Sequence, residues 1–373
     1  MHTDTDLAAV YRHGGPFATV YLDATRASES GAREVELRWR ARRTDLADRG
    51  ASGADLAALD DVIAADRTPG RAGLVAVAAA GSVVFVDHLP DPPRRAEIRL
   101  APLPHLMPYL AQRGPRVPYL VVVADRSGAD IAGPPWADVP ETTVTGSDRY
   151  PLHRSGRDDW SEWHFQHRVE NSWESNARDA AQAVAERAAA GRAALVVLAG
   201  DERARALLQD ELASGLREGT EVVQVEPGGR ADGASPEPLA AAVDNAVLHH
   251  VWRWRRELLA RMQQNLGRAE FAVAGVADVV DAVRRAAVDT VVISDDPSST
   301  LRAYIGPQPV HIGLTEDELH ALGVDSPQQD RLDAALIRAV LGTGAHLVVT
   351  PNAHHYLPNG IGALLRYDDR VAS

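Results

Sequence analysis

The sequence contains no cysteine and no lysine, and it has few aromatic residues. All 39 basic side chains among its 373 residues are arginine, and aromatic residues make up only 5% of the chain. The absence of cysteine excludes a disulfide framework and a thiolate metal site, and it fits a reducing compartment. No apolar run is long enough to cross a bilayer, and the N-terminus lacks a basic region followed by an apolar stretch. The sequence therefore predicts a cytoplasmic protein without membrane contact.

Arginine is concentrated in two segments of an acidic chain. The net charge is −13, so nucleic acid can bind only through local basic patches. Residues 33–43 carry five arginines against two glutamates, and residues 252–268 carry five arginines against one glutamate. Because arginine pairs bidentately with phosphate and stacks on bases, Arg38, Arg40 and Arg42 of the first segment are candidate RNA contacts. The alternative for each segment is a solvated helix face.

The order of predicted elements indicates three domains, because a chain of this length exceeds one hydrophobic core. Residues 1–115 mix helices with strands, including a hairpin that turns at Ala80-Gly81, which indicates an α+β domain. Residues 116–268 give the order strand, strand, helix, strand, helix, strand, helix, which is typical of an α/β domain. Residues 269–373 repeat the α/β pattern and end on a glycine turn and a final strand.

Two helices carry clear local signals. Apolar residues recur every three or four positions from Phe165 to Ala188, which predicts a helix with one buried face. Pro327 stands at the expected first position of another helix, with Ser326 and Gln329 as a capping box. We therefore expect one helix to follow the segment described next and another to begin at Pro327.

The segment SGRDDWSEWHFQHR, residues 155–168, places two of the seven tryptophans among charged and turn-forming residues. If the apolar stripe of the helix faces the core, Trp160, Trp163, His164 and His167 lie on roughly the opposite side. Two interpretations stay open. The rings pack against a neighbouring domain, or they belong to a loop tip that contacts a large partner by stacking, with nearby arginines on phosphates.

This segment and the C-terminus resemble archaeal and eukaryotic class I peptide chain release factors. In that family a loop carries Gly-Gly-Gln, preceded by Gly-Arg and followed by a long helix that starts near Arg-Phe. Gly156-Arg157 and His164-Phe165 match those flanks, and the Gly-Gly-Gln positions fall on Asp158-Asp159-Trp160. The closing NGIGALLRY is similar to the Gly-Ile-Gly-x-x-Leu-Arg-Tyr signature that ends the family's third domain. Because the N-terminal region has no counterpart of the stop-codon motif, the combination resembles the Pelota-like bacterial branch, which includes mycobacterial relatives and the hibernation factor Balon.

The resemblance implies a ribonuclease H-like central domain, a small α/β release-factor-like C-terminal domain, and an N-terminal domain divergent from the codon-reading one. It implies binding in the ribosomal A site during hibernation or stress. Because Asp158-Asp159-Trp160 replace Gly-Gly-Gln, we expect no peptidyl-tRNA hydrolysis, and no catalytic residue, metal or cofactor is expected. The implied partners are ribosomal RNA near the peptidyl-transferase and decoding regions, P-site tRNA, and elongation factor Tu or another translational GTPase. The residues expected to contact the ribosome are Arg154, Gly156, Arg157, Asp158, Asp159, Trp160, Trp163, His164 and His167, together with Arg38, Arg40 and Arg42.

Two other functions stay open on the residues alone. One is a peptidyl-tRNA hydrolase or an RNA-cleaving enzyme on the same domain, and the RNA-cleaving form would need carboxylates that converge on metal ions. Its candidates are Asp125, Asp130, Asp201 and Asp244. A regulatory protein–protein interaction factor would not touch RNA, and it would bury Trp160 against another domain.

Overall fold

The chain forms two compact units, which we call the central unit and the terminal unit. The central unit comprises Arg116–Leu258, and the terminal unit comprises Thr3–Pro115 together with Leu259–Ser373. The computed structural model describes residues 5–28, 30–134, 136–137, 141–145, 159–226, 237–351 and 357–367. None of the helices in these ranges is long and apolar enough to cross a membrane. The domain limits at 115/116 and 268/269 stay a prediction.

The N-terminal part of the terminal unit is a four-stranded antiparallel sheet with helices. Its elements are α1 (Thr5–Val10), β1 (Phe17–Asp23), α2 (Gly31–Asp48), α3 (Gly53–Ala65), β2 (Gly73–Ala79), β3 (Ser82–Leu89), β4 (Ile98–Ala101) and α4 (Met107–Arg113). The strand order is β3-β2-β1-β4. The predicted hairpin is confirmed: Ala80 and Gly81 have φ of 51° and 81°, as a type I′ turn requires. Helices α2 and α3 bury Val35, Trp39 and Leu59 against this sheet.

The central unit is a five-stranded mixed sheet with helices on both faces. Its elements are β5 (Tyr119–Asp125), β6 (Gly128–Ala132), β7 (Thr142–Thr145), α5 (Asp159–Ala190), β8 (Leu195–Gly200), α6 (Glu202–Leu212), β9 (Glu221–Gln224) and α7 (Glu237–Arg268), the last of which continues into the terminal unit. In the order β7-β6-β5-β8-β9 only β6 runs opposite to the others. This is the expected ribonuclease H-like arrangement. Val184 of α5 and Leu208 of α6 pack on one face, and Val243 and Ala246 of α7 pack on the other.

The C-terminal part of the terminal unit contains two small sheets. Its elements are β10 (Ala272–Ala274), α8 (Val276–Arg284), β11 (Val288–Ile293), β12 (Arg302–Ile305), β13 (Ile312–Gly313), α9 (Glu316–Ala321), β14 (Gln328–Arg331), α10 (Leu332–Gly342), β15 (His346–Val349) and β16 (Ile361–Leu365). The strand orders are β10-β16-β11-β15 and β13-β12-β14. A 3₁₀ turn at Pro358–Gly360 leads into β16, so the predicted glycine turn and final strand are confirmed.

The helix expected from Pro327 begins instead at Leu332, so the predicted capping box is wrong. Residues 328–331 form β14, which pairs antiparallel with β12. Asp330 of this strand is fully buried, and its carboxylate accepts a hydrogen bond of 2.8 Å from the main-chain N–H of Leu103. A capping signal is local and weak, and here a buried tertiary contact overrides it.

The two parts of the terminal unit share one hydrophobic core. Tyr21 and Tyr109 from the N-terminal part belong to the same buried cluster as Leu336 and Ile337 of α10. The buried Tyr21 hydroxyl donates to the carbonyl oxygen of His105 (2.7 Å) and accepts from the main-chain N–H of Tyr109 (3.1 Å). The unit is therefore built from segments far apart in sequence.

Candidate nucleic-acid interface

The predicted ribosome-contacting segment leads into the N-terminus of α5. Arg154, Gly156, Arg157 and Asp158 lie outside the described residues. Asp159, Trp160, Trp163, His164 and His167 lie on the first turns of α5, so the expected helix after the polar segment is confirmed. The RNA contact of all nine residues stays a prediction.

The C-terminal half of α5 fixes this helix on the central sheet. Val184 is fully buried there, as the apolar stripe predicts. The side-chain amide of Asn176 donates to the carbonyl oxygen of Arg126 in the β5–β6 turn (3.0 Å), and Arg187 donates to the hydroxyl of Thr142 on β7. The C-terminal half of α5 is therefore packed and hydrogen-bonded on the sheet, and the first turns of the same helix carry the candidate contacts.

The carboxylates of the RNA-cleaving alternative have structural roles where their contacts are described. Asp125 Oδ1 accepts from Ser127 N (2.7 Å), Ser127 Oγ (2.6 Å) and Gly128 N (3.1 Å), which closes the β5–β6 turn. Asp201 caps α6 by accepting from the N–H groups of Arg203 and Ala204, both at 3.0 Å. In the part of the chain that the structure describes, no three His, Asp or Glu side chains form a group that could hold a metal.

The three α2 candidates each form ion pairs with carboxylates of the terminal unit. Arg38 lies 3.1 Å from Glu34 and 3.6 Å from Asp23. The other pairs are Arg40–Glu36 at 2.8 Å and Arg42–Asp45 at 3.5 Å. These pairs are partly or largely exposed, so each contributes little to stability, about 1 kcal/mol or less. An RNA phosphate would have to displace a carboxylate at each position.

A second polar surface lies on α7, beside the edge strand β9. Nδ1 of His250 is 2.7 Å from Glu221 Oε2, and Arg253 pairs with the other oxygen of Glu221. Partial burial opposes ionisation of Glu221, but hydrogen bonds from His250 and Arg253 lower its pKa below the usual value. On the solvent side of the same helix the guanidinium carbon of Arg256 lies 4.6 Å from the centre of the Trp252 ring. This is a cation–π contact.

Sequence reasoning identified residues 252–268 as basic but did not name Trp252 as a contact. Leu248, Trp252 and Arg256 are spaced by four residues, which places them along one side of a helix. That spacing, with an aromatic residue on the opposite side of the helix from Val243 and Ala246, is the signal from which this surface could be predicted.

The central region matches a known family. Residues 118–268, from the start of β5 to the end of α7, match Bacterial archaeo-eukaryotic release factor family 2. An uncharacterized protein of Mycobacterium tuberculosis (strain H37Rv) is 27% identical over 356 residues, which cover 95% of this chain and 94% of that relative. The protein of strain CDC 1551 / Oshkosh gives the same values. The match confirms, for residues 118–268, the resemblance to the bacterial branch of the release factor superfamily.

Solved structures of release factors and Pelota proteins align with most of the chain, at low TM-scores. The archaeal translation termination factor aRF1 is 16% identical with a TM-score of 0.24, covering 97% of this chain and 96% of its own. Pelota of Archaeoglobus fulgidus is 15% identical with a TM-score of 0.31, covering 79% and 80%. A ribosome-bound archaeal Pelota with ABCE1 is 15% identical with a TM-score of 0.36, covering 98% and 95%. With TM-scores this low, none of these structures places a residue of the present chain.

Proposed function

We propose that this protein is a cytoplasmic, ribosome-associated factor that binds the ribosomal A site without hydrolysing peptidyl-tRNA, and that it acts in ribosome hibernation or stress. The observation that carries the proposal is the match of residues 118–268 to a release factor family. The ribonuclease H-like order of the central sheet, with α5 directly after the polar segment, supports the same assignment.

The absence of hydrolysis follows from the residues at the Gly-Gly-Gln positions. Asp158-Asp159-Trp160 cannot take the backbone conformations that are open only to glycine. The helical backbone of Asp159 and Trp160 supports this point, because two of the three positions lie in a regular helix. Two carboxylates would also be repelled by surrounding RNA phosphates. The segment is therefore not expected to position water against the ester.

In this proposal the segment 151–163 reaches toward the peptidyl-transferase region and P-site tRNA. The N-terminal domain, with Arg38, Arg40 and Arg42, lies on the decoding side. There its arginines exchange carboxylate partners for phosphates. The C-terminal domain contacts elongation factor Tu or another translational GTPase, as the resemblance implies.

Co-sedimentation with purified 70S ribosomes tests the proposal. The test variant is Arg154→Glu/Arg157→Glu/Trp160→Ala. The matched control is Arg192→Glu/Arg217→Glu, which reverses the same number of arginine charges at exposed positions of the central unit. We expect wild type and control to pellet with ribosomes, and the test variant to be released at salt concentrations that leave wild type bound. Failure of wild type to pellet at any salt concentration would overturn the proposal and favour the interaction factor that does not touch RNA.

A release assay separates binding from catalysis. Ribosomes with labelled peptidyl-tRNA in the P site are mixed with the protein, and free peptide is measured. We expect no release above the level without protein. Release that Asp125→Asn or Asp158→Asn abolishes would establish the hydrolase alternative instead.

A further inference from the structure

The solvent side of α7 carries a large exposed apolar and aromatic surface, formed by Leu248, Trp252 and Arg256. Leu248 is 62% exposed and Trp252 is 59% exposed. A tryptophan side chain can bury about 150–250 Å², so leaving most of it in water forgoes one of the largest apolar contributions available to a fold. Isolated exposed apolar residues are ordinary, but two in successive turns beside an arginine form a patch.

Leu248, Trp252 and Arg256 are not part of the hydrophobic core of the central unit. Val243 and Ala246 of α7 are buried against the sheet, and Leu258 and Met262 further along are buried as well. Leu248 and Trp252 lie on the opposite side of α7 from Val243 and Ala246, as the helical period requires. The patch therefore has no partner among the described residues.

Arg256 supplies the positive charge of the patch in an acidic protein. Residues 245–256 contain three arginines, with Asp244 and Glu257 directly at the two ends, and the whole chain has a net charge of −13. Arg253 forms an ion pair with Glu221. Arg255 is half-buried, and its desolvation lowers the pKa of the guanidinium. Arg256 has no carboxylate partner in the part of the chain that is described, and its guanidinium lies over the Trp252 ring. A free cation beside an exposed aromatic ring suits a ligand that offers both a π-face and a negative charge.

We infer that the Leu248–Trp252–Arg256 surface binds single-stranded RNA, with one base stacked on Trp252 and Arg256 paired with a neighbouring phosphate. Stacking on an aromatic ring tolerates any base, and an adjacent arginine adds electrostatic attraction to the backbone. The inference deepens the proposed ribosome association and rests on it for the source of the RNA, an unpaired segment of ribosomal RNA. It adds a contact outside the segment 151–163.

The test measures fluorescence anisotropy of a labelled single-stranded RNA of about 12 nucleotides, within the length range that such platforms cover. The variants are Trp252→Ala, Trp252→Phe and Arg256→Gln. The matched control is Trp136→Ala, because Trp136 is also partly exposed (38%) and lies under a guanidinium, that of Arg116, at 5.7 Å. Thermal unfolding of every variant checks that the central unit stays folded.

We expect Trp252→Ala to weaken RNA binding about ten-fold, while Trp252→Phe retains most of the affinity because a phenyl ring still stacks. Arg256→Gln is expected to weaken binding and reduce its salt dependence by about one phosphate contact, and Trp136→Ala to match wild type. Equal affinities for wild type and Trp252→Ala would overturn the inference. Loss in Trp252→Phe as large as in Trp252→Ala would do the same, because it would indicate a structural role.

Parallel pelleting with 70S ribosomes distinguishes this inference from the proposed function. If wild type pellets and Trp252→Ala changes neither oligonucleotide nor ribosome affinity, the surface inference fails and ribosome binding stands. If wild type does not pellet but its oligonucleotide binding depends on Trp252, the surface binds RNA and the proposed ribosome binding fails. If Trp252→Ala lowers ribosome affinity alone, the surface contacts a protein, and the RNA assignment is wrong.

Discussion

The buried carboxylate of Asp330, in the C-terminal part of the terminal unit, forms polar contacts with the N-terminal part. Besides the Leu103 N–H, its oxygens accept from the N–H of Arg331 (2.6 Å) and form an ion pair with Arg99, whose side chain is itself largely buried. Removing one member of a buried charge pair is costly because the other charge stays out of water without compensation.

Replacing this carboxylate should therefore destabilise the terminal unit strongly. We expect Asp330→Asn to lower the free energy of unfolding by about 3 kcal/mol, because Arg99 stays buried without its counter-charge. Glu36→Gln is the matched control, since it breaks a pair whose two side chains are 67% and 65% exposed and should cost less than about 1 kcal/mol. Urea unfolding followed by circular dichroism measures both. Equal effects of the two substitutions would contradict this account of Asp330.

Asp66 links stability to pH. Partial burial opposes its ionisation, but hydrogen bonds from Thr68, the Arg26 guanidinium (2.6 Å) and His88 (3.0 Å) hold the pKa of Asp66 well below its usual 3.8. Because the folded-state pKa is lowered, Asp66 stabilises the fold fully above its unfolded pKa. That stabilisation is lost as the pH falls toward the folded-state pKa.

The wild-type free energy of unfolding should accordingly decline as the pH falls below about 4. Asp66→Asn should be less stable near neutrality and should show a shallower decline over the same acid range. Asp48→Asn, at an exposed position in the last turn of α2, is the control and should follow wild type. The same acid slope in Asp66→Asn and wild type would show that this carboxylate does not carry the linkage.

Among the elements, the contact between β5 and β8 depends on one glycine. Gly200 ends β8 with φ of 104°, and a Cβ there would lie 2.0 Å from the carbonyl oxygen of Ala124. Both the left-handed conformation and the close approach of the backbones require glycine.

Gly200→Ala should destabilise the central unit by about 4 kcal/mol or more, the range that marks a specific structural defect. Gly219→Ala separates the two causes, because Gly219 also has a positive φ (86°) but open space around it, and it should cost about 1 kcal/mol. Tryptophan fluorescence during thermal unfolding reports mainly on this unit, since six of the seven tryptophans, all except Trp39, lie in it. Similar losses in both variants would mean that the close approach is relaxed by small backbone shifts.

Elements with strong local signals could be predicted from the sequence, and those fixed by distant contacts could not. Two predictions that depend only on neighbouring residues are confirmed: the turn at Ala80-Gly81 and the helix whose apolar stripe ends at Ala188. Strand β14 was predicted as a helix start, because nothing near Pro327 indicates that Asp330 will be buried against Leu103 and Arg99.

At the scale of the whole molecule, two features depend on contacts between residues far apart in the sequence. Segments before residue 116 and after residue 258 share one core, a contact between distant segments that no local pattern indicates. The RNA contact of Arg38, Arg40 and Arg42 stays a prediction, and the structure adds that Arg38 and the neighbouring Arg43 pair with Asp23 and Asp60, carboxylates outside their helix. The release-factor resemblance of the central region, by contrast, could be predicted from a short motif, because the segment around residues 155–168 lies inside the matched range 118–268.

The most direct test of the central claim is a cryo-electron microscopy reconstruction of 70S ribosomes incubated with this protein. We expect density in the A site, with residues 151–163 directed toward the peptidyl-transferase centre and intact peptidyl-tRNA beside it. Density at any other ribosomal site, or cleaved tRNA next to the bound protein, would contradict it.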